Sequence, residues 1–292
     1  MPPEIKSIAV AGAQGSVGKP TILALASVPR VSVLALTRKT ASRSDWLPQG
    51  VAHAGIDFDD VDGTADVLRE HKVEVLISAV SHGAVLAQIP LADAAKAAGV
   101  GLFVPSEFGT ITMGWREEDT IPSFLAPKIK VADHLDSIGL PSLRIFVGMF
   151  IEAITTLVGY DVNKKVNIFK PLQGDTPFSA TSAPDIGGFI AHVVTHYPLS
   201  ELANKALRIE GERLTLNGLG AILKAPVEKV EEVPSLPGGP PPFIMSGLQT
   251  SIEKGLMNQD TKVGENDGAG GADHMWPGHR WTTMKEYLQC NM

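Results

Sequence analysis

One run of seven residues constrains this chain more than any other: Gly12-Ala13-Gln14-Gly15-Ser16-Val17-Gly18. It follows directly on Ser7-Ile8-Ala9-Val10-Ala11, which reads as a buried strand, and it opens a helix-like stretch from Lys19 to Ser27. A strand, a glycine turn and a helix in that order form the unit that seats a dinucleotide. The first glycine allows the tight turn, the second lets the backbone approach a pyrophosphate, and the third lets helix and strand pack closely. Free N–H groups at the helix start then face the phosphates. A turn with no ligand is the competing reading, and the strand–turn–helix setting speaks against it.

The rhythm downstream supports the same architecture. Strands are expected at Val31–Leu36, Val51–Ile56, Val73–Ala79, Gly101–Pro105 and Ser142–Val147, with helices near Ala65–His71, Ile89–Ala98 and Pro127–Ile138. Alternation at this spacing implies βαβ units and a parallel sheet with helices on both faces. The fold class is therefore α/β, a Rossmann-like doubly wound parallel sheet. After Gly148 the rhythm changes: a helix at Ile151–Leu157, short strands at Lys165–Phe169, Phe178–Thr181 and Ala206–Ile209, and a helix at Leu214–Leu223 weakened by Gly218 and Gly220. We expect residues 1–150 to form the nucleotide-binding domain and residues 151–292 a smaller C-terminal substrate lobe. Pro234 to Pro242 reads as an irregular connector, and Gly-rich Val263 to Ala272 as a mobile loop.

Composition narrows the function classes. The 292 residues carry a formal net charge of −7, which argues against a general affinity for nucleic acid. No segment approaches the ~18 uninterrupted apolar residues of a membrane span. The start lacks the pattern of a secretory signal, and the one cysteine, Cys290, rules out an intrachain disulfide, so a cytoplasmic protein is expected. His274 and His279 flank Trp276-Pro277-Gly278 without the further ligands a metal site needs, so no metal is expected. A homodimer stays open.

The end of the second strand indicates which dinucleotide. NAD sites place an acid there to bond the ribose hydroxyls, whereas here Leu36 and Thr37 are followed by Arg38 and Lys39, which suit the 2′-phosphate of NADP(H). Solvated cations after a strand are the plainer alternative. By topology Asp57 and Phe58 would sit beside the adenine, and Ala79-Val80-Ser81 would pass under the cofactor.

Val104-Pro105-Ser106-Glu107-Phe108-Gly109 follows the fifth strand. Together with the glycine turn, Arg38 and Lys128, it resembles the NmrA-like group of atypical short-chain dehydrogenases, in particular the isoflavone reductase and phenylcoumaran benzylic ether reductase-like branch. That branch carries Pro-Ser-Glu-Phe-Gly at this place and a catalytic lysine eleven residues before a Gly-hydrophobic-Pro. Here Lys128 lies eleven residues before Gly139-Leu140-Pro141. Asp185-Ile186-Gly187 and Leu214-Thr215-Leu216-Asn217 resemble later segments, so the likeness spans about Ile8 to Leu223. Gln14 replaces a usual Thr, Ala132 a frequent basic residue, and Gly148-Met149-Phe150 the usual Asn-Cys-Phe.

The resemblance implies an NADPH-dependent reductase of a small, largely apolar, aromatic or conjugated carbonyl substrate, with Lys128 as general acid/base. Lys128 has apolar sequence neighbours in Phe124, Leu125, Ala126 and Ile129, and desolvation would lower its pKa. Lys128 is also a candidate to bind the cofactor by hydrogen-bonding the nicotinamide ribose, and two solvated lysines on an amphipathic helix, Lys128 and Lys130, are the alternative from spacing alone. The residue four before Lys128 is Phe124, so the usual Tyr-x-x-x-Lys is missing there. Its one match, Tyr160 to Lys164, falls after the sixth strand and reads as coincidence. Ser106 and Glu107 either touch the cofactor or order their loop. Phe108, Met149, Phe150 and Trp276 are the substrate-side candidates, with core packing as the alternative for each. A second functional class stays open: an NADP(H)-sensing regulator that binds a protein partner without turnover, as NmrA itself does.

Overall fold

The computed structural model describes residues 7–40, 45–115, 124–260 and 268–291. The N-terminal hexapeptide and the first part of the Gly-rich stretch from Val263 lie outside them. The chain packs into two compact units: Met1–Glu107, Thr112–Ile145 and Ile186–Leu207 in the first, and Phe108–Ile111, Phe146–Asp185 and Arg208–Met292 in the second. The sequence reading cuts the chain once, after residue 150; these units interleave along it.

The first unit is built on β1 (Ser7–Ala11), α1 (Gly18–Ala26), β2 (Ser32–Arg38), β3 (Ala52–Ile56), α2 (Val61–Glu70), β4 (Val75–Ser78), α3 (Gln88–Ala98), β5 (Leu102–Val104), α4 (Ala126–Ser137) and β6 (Leu143–Phe146). β1 to β5 form one parallel sheet in the order β3-β2-β1-β4-β5. All five residues of β1 and all four of β4 are buried, as continuous apolar strands covered on both faces must be. Alternate residues sort the faces. Ala9, Ala11, Leu34, Leu36, Leu76 and Phe103 share a core with Leu68 of α2, Leu91, Ala92 and Ala95 of α3, and Val131 and Leu135 of α4. The sixth strand continues beyond β5 through a parallel bridge from Phe103 to Ser142. α2 starts four residues earlier than its apolar pattern suggests, because Asp60 caps it and accepts the Gly63 N–H at 2.9 Å.

The second unit holds β7 (Met149–Phe150), α5 (Ile154–Leu157), α6 (Tyr160–Asn163), β8 (Val166–Phe169) and β9 (Phe178–Thr181). Next in the chain come α7 (Ala183–His196), α8 (Leu199–Leu202) and β10 (Lys205–Arg208), the last of which pairs with β6. From Ile186 to Leu207 these three belong to the first unit. Gly187 there lets α7 lie on α1: an added Cβ would stand 2.6 Å from the Thr21 nitrogen. β11 (Glu212–Leu214), α9 (Leu219–Leu223), β12 (Val227–Val230), α10 (Pro242–Glu253) and α11 (Met284–Asn291) complete the second unit. The expected helix at Leu214–Leu223 shrinks to α9: Leu214 ends a strand antiparallel to β9, and the helix begins only after Gly218.

Small sheets, β11-β9-β7 and β12-β8, are tied here by side chains bonding to backbone. The buried Gln249 amide donates to the Leu157 and Asn167 carbonyls at 2.9 Å each and accepts the Phe169 N–H at 2.8 Å. Glu253 accepts the N–H groups of Gln173 and Gly174 at 3.0 and 3.1 Å. Buried Arg208 donates to the Gln259 carbonyl at 3.0 Å.

Candidate active site

The strand order reverses at β1, between β2 and β4, and ligands of open α/β sheets sit outside the carboxyl ends of strands at such a point. A cavity of about 460 Å³ opens there. Gly12, Ala13, Gln14 and Gly15 line it from the turn, Leu36, Thr37 and Arg38 from the end of β2, Phe58 from the loop after β3, and Ala79, Val80 and Ser81 from the end of β4. Ala84 and Ala87, in a 3-10 turn at His82–Ala87, complete the wall.

The glycines answer to geometry. Gly12 has φ +78°, and a Cβ there would stand 2.3 Å from the Ala79 carbonyl oxygen. A Cβ on Gly18 would stand 2.2 Å from the Gly12 oxygen. Gly15 is exposed, and a Cβ on it would press on the Gly12 and Ala79 oxygens at 3.2 and 3.3 Å, narrowing the cradle. α1 begins with no capping side chain and no acidic residue in its first turn, which leaves its positive end open to an anion. A pyrophosphate fits this donor set.

Arg38 is exposed at the cavity wall, and among the described residues no carboxylate pairs with it. Lys39 does not line the cavity; its ammonium pairs instead with Asp60 at 3.4 Å. Ser16, Val17 and Gly18 likewise stand outside the lining, as does Asp57, whose carboxylate accepts the Asp59 N–H at 3.2 Å in a local turn. Sequence reasoning missed Leu36, Thr37, Ala84 and Ala87. The first two carry the signal of position, since they directly precede Arg38; the alanines carry none beyond small size.

A second group of sequence candidates gathers after β5. Ser106 Oγ donates to the Val80 carbonyl at 2.9 Å, and the Ser106 N–H donates to Gln88 Oε1 at 2.7 Å, tying the β5 loop to the β4 loop. Glu107 is 2% exposed. Its Oε1 accepts from Thr112 Oγ1 at 2.8 Å and from Arg144 Nε at 2.9 Å, and Arg144 also donates to Thr112 at 2.6 Å. Lys128, in the first turn of α4, donates its Nζ to the Glu107 carbonyl oxygen. Burial of the ammonium pulls the Lys128 pKa below the ordinary lysine value, and the Glu107 carboxylate partly offsets this. Thr112 and Arg144 were not singled out from the sequence. A lone arginine between the buried Leu143 and Ile145 of β6 is the signal that could have found one of them.

The remaining candidates lie in the second unit. Phe108 is buried with φ +24°, Met149 is buried in β7 opposite Ala180, and Phe150 is half-buried opposite Thr181. Trp276 stacks on the His279 ring at 3.5 Å, and His279 Nε2 lies 3.1 Å from Asp185 Oδ1. None of these four lines the cavity of about 640 Å³ that this unit holds, whose walls include Glu152, Pro184, Trp281 and Tyr287. The Tyr160 to Lys164 match forms a local pair, with the lysine Nζ 4.8 Å from the centre of the tyrosine ring on the short helix α6. Among the described residues no group of acids, histidines and cysteines could hold a metal ion, and no helix is long and apolar enough to cross a membrane.

Comparison with known proteins agrees with this geometry. The chain is 31% identical over 186 residues to "Oxidoreductase aprR" of Aspergillus flavus, a match that covers 62% of this chain. It spans only 61% of that protein's length. Among solved structures it is similar to one from the pinoresinol-lariciresinol and phenylcoumaran benzylic ether reductases (TM-score 0.77, 20% identity, 98% of this chain and 100% of that one). It is also similar to the leucoanthocyanidin reductase–NADPH complex of Vitis vinifera (TM-score 0.74, 19% identity, 97% and 98%). At those identities the structural likeness speaks for the fold. The NmrA-like family model matches residues 4–288, nearly the whole length, and the chain belongs to the NmrA-like family.

Proposed function

We propose that this protein is an NADPH-dependent reductase of a small, largely apolar substrate, aromatic or bearing a conjugated carbonyl. The observation that carries the reading is the cavity at the strand-order reversal, walled by the glycine turn on one side and Arg38 on another. Its backbone cradle and the uncapped start of α1 suit a pyrophosphate. Arg38 offers a planar, permanently charged fork to a ribose 2′-phosphate, and no acid stands where a 2′-hydroxyl would need one. The relatives named reductases and oxidoreductase support the same class.

When bound, NADPH supplies the hydride. The chain's own part is the proton. Lys128 holds its amine on the Glu107 carbonyl, desolvated and with lowered proton affinity, which suits a group that gives a proton to a substrate oxygen and regains one from solvent. Oxygen protonation and hydride addition at carbon together complete a two-electron reduction.

The test is NADPH oxidation against a panel of phenolic and enone substrates. Lys128→Ala is expected to lose turnover by about 10²–10⁴-fold, the usual worth of a general acid, while still binding NADPH. Lys164→Ala serves as control and is expected to behave as wild type. If NADPH binds and nothing turns over, the sensing regulator becomes the better reading; if Lys128→Ala stays fully active, the role given to Lys128 is wrong.

A further inference from the structure

We propose that Glu107, seated by Arg144 and Thr112, is the positioning residue that places the Lys128 amine and sets its charge state. The inference rests on the reading of Lys128 given above.

Three observations carry it. First, the contact is made by backbone: Lys128 Nζ donates to the carbonyl oxygen of Glu107, so the amine's position follows the conformation of this one residue. Second, that conformation is fixed from the side-chain end. The Glu107 carboxylate is almost wholly buried, and the Arg144 guanidinium and the Thr112 hydroxyl, which also bond each other, hold its Oε1. A charged, three-membered, mostly buried set is an expensive way to order a loop, because each ion must leave water. Third, the other carboxylate oxygen, Oε2, is buried with no hydrogen-bond partner among the described residues. The Glu107 carboxylate also acts on the Lys128 ammonium, favouring its charged form against the effect of burial. Among the described residues, Arg144 of β6 pairs with Glu107, and from the 3-10 turn the His82 ring centre lies 6.5 Å from that of Phe124.

The arrangement divides the work. Burial lowers the proton affinity of Lys128, and the Glu107 carboxylate offsets part of that push. Arg144 and Thr112 together hold the Glu107 carboxylate in place.

The proton affinity of Lys128 is readable without turnover. Competitive labelling of the full chain with an amine-acetylating reagent across pH, followed by peptide mass spectrometry, gives the midpoint at which Lys128 becomes reactive. Glu107→Gln keeps shape and removes charge, so the midpoint is expected to fall by about one pH unit, the order of shift a nearby charge produces. An unmoved or raised midpoint overturns the proposal. Thr112→Val keeps the charge and loosens its seat. It is expected to leave the midpoint in place and lower kcat several-fold with the KM for NADPH unchanged; wild-type kcat in a folded Thr112→Val overturns the positioning role even if Glu107→Gln fails to fold. A shifted midpoint beside a fully active Lys128→Ala would leave the Glu107–Lys128 coupling standing and sink the reductase role of Lys128, so the two failures are distinguishable.

Discussion

The two units of this chain are held together in different ways. The first relies on a parallel ladder of buried strands, β3-β2-β1-β4-β5, with apolar residues alternating between two helix-covered faces. The second has only sheets of two and three strands, and its loops are fixed by individual polar side chains reaching into the backbone, Gln249, Glu253, Asn167 and Arg208 foremost. Ladder bonds are renewed at every residue and depend little on which apolar side chain stands there. A buried side-chain bond depends on a single residue, and losing it strands its partners without water. The difference teaches that single polar residues specify the second unit, while pattern specifies the first.

Gln249→Leu gives the sharpest test of that contrast. It keeps approximate volume but leaves the Leu157 and Asn167 carbonyls and the Phe169 N–H without their buried partner. A loss of about 3 kcal/mol in urea unfolding is expected from stranding such groups. A loss under about 1 kcal/mol, the range of an ordinary substitution, would break the contrast.

A smaller effect sits near the turn at Asp273, also in the second unit. Partial burial and the neighbouring Glu210 push its carboxyl up to about 7, burial acting most strongly. Between the ordinary value of 3.8 and about 7 the folded protein therefore holds a proton the unfolded chain releases, and stability from this group is lost as pH rises through that window. Asp273→Asn removes the ionisation, so its Tm is expected to exceed that of wild type by about 2 °C at pH 8, with the gain vanishing near pH 4. Solvent around a half-buried group keeps the effect small. A gain that is the same at both pH values would show that Asp273 does not titrate in this way.

The same contrast explains what could be read from the sequence. The glycine turn, the five strands and the helices between them follow from local pattern, and Arg38, Phe58 and Ala79 to Ser81 follow from topology once the strands are placed. Two long helices escaped. Gly187 and Gly188 near the start of α7 weaken its helical reading, although the buried Ile186, Phe189, Ile190, Val193 and Val194 recur at helical spacing. α10 starts in a proline run that reads as a connector, although Pro242 at its first position is itself a helix-start signal. The Arg144–Glu107–Thr112 set escaped because its members are distant in sequence and meet only through the fold.

Everything proposed for this protein begins with the cavity holding NADP(H), so the most direct measurement is calorimetric binding of NADPH and NADH to the wild type and to Arg38→Ala. The wild type is expected to prefer NADPH by about tenfold or more, the scale of a charge-assisted contact to the 2′-phosphate, and Arg38→Ala to lose most of that preference while NADH binding stays as it was. Equal affinity for the two cofactors, or NADPH held as tightly by Arg38→Ala as by the wild type, would contradict the account.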